Sequence, residues 1–81
     1  MELKDTIPMM CSDDYKERFR AEYYQLKIRT DKLCDMLGKW ERNELDFEPA
    51  NPKELLISQL ASMFYLLGIM LTRANNEKID L

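Results

Sequence analysis

The chain has 81 residues, 46% apolar and 33% charged, with a net charge of −3 and no histidine. That length allows one domain, and a lone core would be marginal because so short a chain buries only about 60% of its unfolded surface. The composition excludes collagen-like, low-complexity and wholly disordered chains. The net charge argues against a general binder of long nucleic acid, and the missing histidine excludes imidazole bases and histidine-ligated metals.

Residues 1–13 read as an N-terminal arm. Ile7, Met9 and Met10 are available for packing, and Pro8 is expected to stop a helix running through them. The first ten residues mix both charge signs, so no secretory leader is expected. Cys11 and Cys34 are too few for a disulfide framework and form no CxxC pair, which leaves two free thiols in a cytoplasmic protein as the expectation.

The first long helix is expected over about 14–41. Ser12-Asp13-Asp14 opens it, and Asp14 with Glu17 has the spacing of a capping box. Phe19, Tyr23, Leu26, Thr30, Leu33, Leu37 and Trp40 then follow alternating steps of four and three, a heptad-like stripe along one side. Thr30 fits a tolerated core position, a register-setting hydroxyl or a ligand contact. The loop 43–51 carries acidic residues and Pro49, with Leu45 and Phe47 expected to tuck back. Trp40 is expected to close that end against Phe47.

The second helix is expected from Pro52 to about Asn75. Asn51 would be its cap, Pro52 its first residue and Glu54 the partner of the cap. Its apolar residues (among them Leu55, Ile57, Leu60, Met63, Phe64, Leu67, Met70 and Leu71) exceed one stripe, so a second face needs another partner. Gly68 suggests close approach of another helix, and residues 77–81 read as a polar tail. The fold class is therefore all-α: an antiparallel two-helix hairpin over 14–76 assembling into a homo-oligomeric helical bundle. Residues 55–72 carry no charge and reach the lower limit of a membrane span, but Ser58, Gln59 and Ser62 and the absence of a Lys/Arg bias in the flanks favour the oligomer, with no membrane.

No nucleophile–base pair, phosphate loop or metal cluster is present, so neither catalysis nor a cofactor is expected. The basic surface lies on the first helix, where residues 14–42 hold eight basic and six acidic side chains. Lys16, Arg20, Tyr24 and Lys27 fall at i, i+4, i+8 and i+11 on one line. Cations on either side of a tyrosine suit a small phosphorylated ligand with a base to stack. The same line also fits a solvated face in which Glu17, Glu22 and Asp31 pair along the helix.

The segment Asp14-Tyr15-Lys16-Glu17-Arg18-Phe19 with Glu22-Tyr23, Leu26-Lys27, Arg29 and Lys32-Leu33, and the segment Pro52, Glu54-Leu55-Leu56, Gln59-Leu60 and Met63, resemble small phage and prophage helical-hairpin proteins of the crAss-phage-related kind. Leu71-Thr72-Arg73-Ala74 is similar to the hairpin domain of anti-CBASS and anti-Thoeris sponges. That resemblance implies symmetric oligomers that enclose cyclic nucleotide immune signals, without cleaving them, in pockets between protomers. It implies a phosphate contact for Lys27 and a place for Thr72 and Arg73 at an inter-protomer pocket. Ser12 stands near the position of a stacking tyrosine in those hairpins, with Tyr15 one turn later. Together, the resemblance and the cation line give a phage-encoded, cytoplasmic protein that sequesters a small cyclic nucleotide. Arg20, Lys27 and Arg73 would meet phosphates, Tyr15 or Tyr24 would stack a base, and Thr72 would line the pocket. The alternative is an oligomeric protein-interaction module with no small-molecule ligand.

Overall fold

The computed structural model describes residues 1–81 and is all-helical, without a strand. A 3-10 turn over Leu3–Thr6 leads into the short α1 (Ile7–Met10), followed by α2 (Tyr15–Glu41) and α3 (Lys53–Glu77). The two long helices lie side by side, the start of one against the end of the other. Tyr15 Oη donates to Glu77 Oε1 at 2.7 Å, and Lys53 Nζ pairs with Glu41 Oε1 at 3.1 Å. The molecule measures 43 × 24 × 17 Å with a radius of gyration of 15.0 Å. A compact domain of this length would have about 12 Å, so this is an open, elongated pair of helices.

The sequence places the long helices well and their caps less well. Asp14 caps α2 by accepting from the Lys16 N–H at 2.9 Å, while Glu17 turns along the helix to Arg20 at 2.9 Å instead of closing a capping box. Asn51 does not cap α3. Pro52 is the cap residue, extended at φ −60° and ψ 144°, and no side chain caps the helix. Proline's restricted φ suits either state, and the Pro52 carbonyl still accepts from the N–H groups of Leu55 and Leu56 at 3.1 and 3.4 Å.

Both long helices end in Schellman motifs. In α2 the Glu44 N–H donates to the Lys39 carbonyl at 2.8 Å and Asn43 N–H to Trp40 at 3.1 Å; in α3 Ile79 donates to Ala74 at 2.8 Å and Lys78 to Asn75 at 3.4 Å. The left-handed residues are Asn43 at φ 57° and Lys78 at φ 56°. Asparagine tolerates that region, whereas lysine is strained there by roughly 1–2 kcal/mol.

The Schellman turn of α3 corrects the reading of residues 77–81 as a polar tail. It carries Ile79 back into the core, where it is 5% exposed beside Phe19, Tyr23, Leu67, Met70 and Ala74. The N-terminal arm is also built onto α2. Pro8 occupies the first turn of α1, where its missing N–H is harmless, so it opens a helical turn that it had been expected to block. Thr6 is fully buried, donating to the Leu3 carbonyl and accepting from Gln25 Nε2 at 3.1 Å. Thr30 is fully buried too, its hydroxyl donating to the Leu26 carbonyl at 2.6 Å, which makes it a satisfied core residue. Trp40 is half-buried under the Lys53 ammonium, 5.1 Å from its ring centroid, but Phe47 is 54% exposed. Those two aromatics border an open hollow of about 540 Å³ in place of a closed seal.

Helix α3 keeps its second apolar face. Ile57, Ala61, Phe64, Gly68 and Leu71 follow steps of four, three, four and three, and all are exposed. A methyl group at Gly68 would meet nothing within 4 Å. Ten of the 81 residues are buried, and the accessible surface is 5851 Å². A compact monomer of this mass exposes about 5,100 Å², so the chain carries an excess of roughly 700 Å². By length and composition α3 could also cross a membrane, with a mean hydropathy of 1.8 over its most apolar window, 11% of which is buried.

Replacing Lys78 by Gly relieves the left-handed strain and is expected to raise the unfolding free energy by about 0.5–1 kcal/mol. Urea unfolding followed by circular dichroism measures this, and a lower midpoint would contradict the left-handed turn at Lys78.

Candidate ligand-binding site

Five of the six residues expected to hold a ligand carry polar contacts that sort them into two places. Tyr15, at the first position of α2, faces the last turns of α3, where Arg73 and Glu77 stand four residues apart. Tyr15 Oη donates to Glu77 Oε1 at 2.7 Å and accepts from Arg73 Nη2 at 3.0 Å, while Arg73 Nε reaches Glu77 Oε2 at 3.3 Å. The three side chains form a closed ring of contacts. Beneath them the guanidinium lies 5.0 Å from the centroid of the buried Phe19 ring. Arg73 is thereby oriented by a carboxylate, a phenol and an aromatic face, and its Nη1 donors have no partner within the chain.

These contacts move the proton affinities in the direction expected. The hydrogen bond to Glu77 leads in raising the Tyr15 pKa above its ordinary value, because the carboxylate holds the phenol in its neutral, donating form. Arg73 is also raised, chiefly by its bond to Tyr15, and stays a cation at any working pH.

Arg20 stands one turn beyond Lys16 on α2 and is already engaged. Its Nη1 pairs with Glu17 at 2.9 Å and its Nε donates to the Asp80 carbonyl at 2.7 Å. Lys16 Nζ reaches the Lys78 carbonyl at 3.4 Å. Tyr24 is half-buried and packs edge-on against Tyr23, with ring centroids 5.3 Å apart, so its ring is partly committed to the core. Lys27 lies twelve residues past Tyr15, or about 18 Å along the helix. Both oxygens of Asp31 hold its ammonium at 2.9 Å, and Asp31 is the main cause of its raised pKa. Within one chain, therefore, Tyr15 and Arg73 come together, Arg20 lies a turn away, and Lys27 stands apart.

Thr72 shares a hollow with Arg73. This hollow measures about 510 Å³, is open to solvent, and is walled by Phe64, Tyr65, Gly68 and Ile69 on the exposed face of α3. Its volume falls within the range of small-molecule sites, about 300–1,000 Å³. The Thr72 hydroxyl donates to the Gly68 carbonyl at 3.2 Å, which leaves its lone pairs available. The larger hollow at the loop end, beside Trp40 and Phe47, contains none of the candidate residues.

Sequence reasoning missed Glu77 and Phe19 as parts of this site. The spacing of Arg73 and Glu77 was a usable signal for an intrahelical ion pair. No sequence signal pointed to the 62-residue separation bridged by Tyr15 and Glu77. No group of acidic or cysteine side chains is arranged to hold a metal ion.

A family model described as Sequestin matches residues 13–76, which covers α2, the loop and nearly all of α3. The chain belongs to the Sequestin family. Searches of curated proteins and of solved structures find no match.

Replacing Glu77 by Ala removes the contact that leads in raising Tyr15. The Tyr15 phenol is then expected to titrate at lower pH, because Arg73 remains beside it and favours the phenolate. Carbon NMR of the Tyr15 ring across an alkaline titration checks this, and an unmoved or higher midpoint would contradict the triad.

Proposed function

We propose that this Sequestin-family chain is a non-enzymatic helical hairpin that assembles with copies of itself and sequesters a small cyclic nucleotide. The setting proposed is a phage-encoded anti-defence protein acting in the cytoplasm of its bacterial host. The observation that carries the reading is Arg73. It is a permanently charged, planar hydrogen-bond donor for phosphate, held in place by Tyr15, Glu77 and Phe19, and it sits at the edge of a 510 Å³ hollow. The family name supports withholding a ligand over transforming it.

Assembly is proposed for a physical reason. The exposed stripe of Ile57, Ala61, Phe64, Gly68 and Leu71 alternates large and small side chains at heptad spacing, which suits knobs of one helix entering gaps of another. The surplus of roughly 700 Å² is close to the 800 Å² or so that each partner buries in a standard interface. The hollow beside Arg73 is lined by this same face, so a second protomer would close it. The polar positions Ser58, Gln59 and Ser62 and the charged surface of α2 favour this assembly over a membrane. The same exposed face is what supports the second reading, a module that docks another protein.

Leu71→Glu is expected to leave a helical monomer near 9.7 kDa by light scattering, whereas the parent chain gives a multiple of that mass. A parent chain that is itself monomeric would contradict assembly. In calorimetric titration against cyclic di- and trinucleotides, Arg73→Ala is expected to weaken binding at least tenfold. The double change Lys27→Ala with Arg20→Ala should weaken it as well. Affinity unchanged by either would overturn the site assignment.

A further inference from the structure

Residues 78–81 lie across the basic face of α2, where the carbonyls of Lys78 and Asp80 each engage one donor of a cation. Arg20 Nε donates to the Asp80 carbonyl at 2.7 Å, and Lys16 Nζ to the Lys78 carbonyl at 3.4 Å. Two features hold the segment there. Ile79 is buried in the core between α2 and α3, and the Schellman turn points it inward. The turn is strained, because Lys78 must adopt φ 56°. A buried anchor thus sits next to a weakened hinge.

We infer that this C-terminal segment is a strap which covers the Lys16–Arg20 pair and competes with a phosphate for its donors. Carbonyl oxygens are neutral acceptors, so a phosphate, with full negative charge and several oxygens, makes the stronger bonds to a guanidinium and an ammonium. Exchange is therefore favourable once the strap lifts. When it lifts, Arg20 regains its Nε donor and keeps Glu17 as a positioning partner through Nη1. The strap lowers the apparent affinity by the fraction of time it is closed. The inference rests on the cation line being a phosphate-binding surface, but it does not require the ligand to be a cyclic nucleotide.

The test uses inorganic pyrophosphate as the probe and variants that shift the strap in opposite directions. Lys78→Gly and Lys78→Ala remove the same charge, but only glycine fits the left-handed turn. Lys78→Gly closes the strap more firmly and is expected to bind pyrophosphate about three- to fivefold more weakly than Lys78→Ala. Ile79→Ser releases the anchor and is expected to bind it at least tenfold more tightly than the parent chain, with circular dichroism reporting that α2 and α3 persist. Arg20→Gln should abolish the differences between these variants. Equal affinity of the two Lys78 variants would overturn the strap, as would undetectable pyrophosphate binding by all of them. Pyrophosphate binding that follows this order in a protein indifferent to cyclic nucleotides would uphold the strap and fail the nucleotide reading.

Discussion

Helix α3 bears apolar side chains on two faces, and α2 can cover only one of them. Leu67, Met70 and Ala74 take the covered side, while Ile57, Phe64 and Leu71 remain in solvent on the other. Most features of the molecule follow from that imbalance. The main buried cluster lies at the end where α3 finishes and α2 begins, with Leu37 buried apart from it toward the other end. The accessible surface exceeds that of a compact monomer, and the hollow beside Arg73 has walls on one side only. This surplus is what the proposed assembly with further copies would bury. In the proposed assembly, burying the surplus against another copy would both stabilise the fold and complete the hollow.

The electrostatics follow a second economy. The cations proposed to meet a ligand are already engaged within the chain: Arg73 by Glu77 and Tyr15, Lys27 by Asp31, and Arg20 by Glu17 and a backbone carbonyl. An acidic protein with a net charge of −3 can therefore present a basic face without attracting every polyanion. This fits a protein built to capture and hold, where selectivity matters more than rapid encounter.

The long helices were legible in the sequence because their apolar spacing extends over many turns, and Phe19, Tyr23 and Leu37 are buried as that spacing implied. Their ends were harder to read. Both finish on left-handed residues that are not glycine, and Lys78 gives no composition signal for such a turn. Ile79 was hidden for the same reason: one apolar residue between Lys78 and Asp80 looks like part of a polar tail until the turn directs it inward. Helical spacing put Lys16, Arg20, Tyr24 and Lys27 on one line, but spacing along a helix says nothing of what another segment lays across it. The meeting of Tyr15, Arg73 and Glu77 depends on the register between α2 and α3, which only the folded chain supplies.

Native mass spectrometry of the purified chain, alone and with an equimolar mixture of cyclic di- and trinucleotides and cyclic ADP-ribose isomers, tests assembly and ligand capture together. The expected result is a discrete homo-oligomer that retains one class of cyclic nucleotide, unaltered in mass, at a fixed number per assembly. A monomer, an oligomer that takes up none of these compounds, or a ligand released with a changed mass would contradict it.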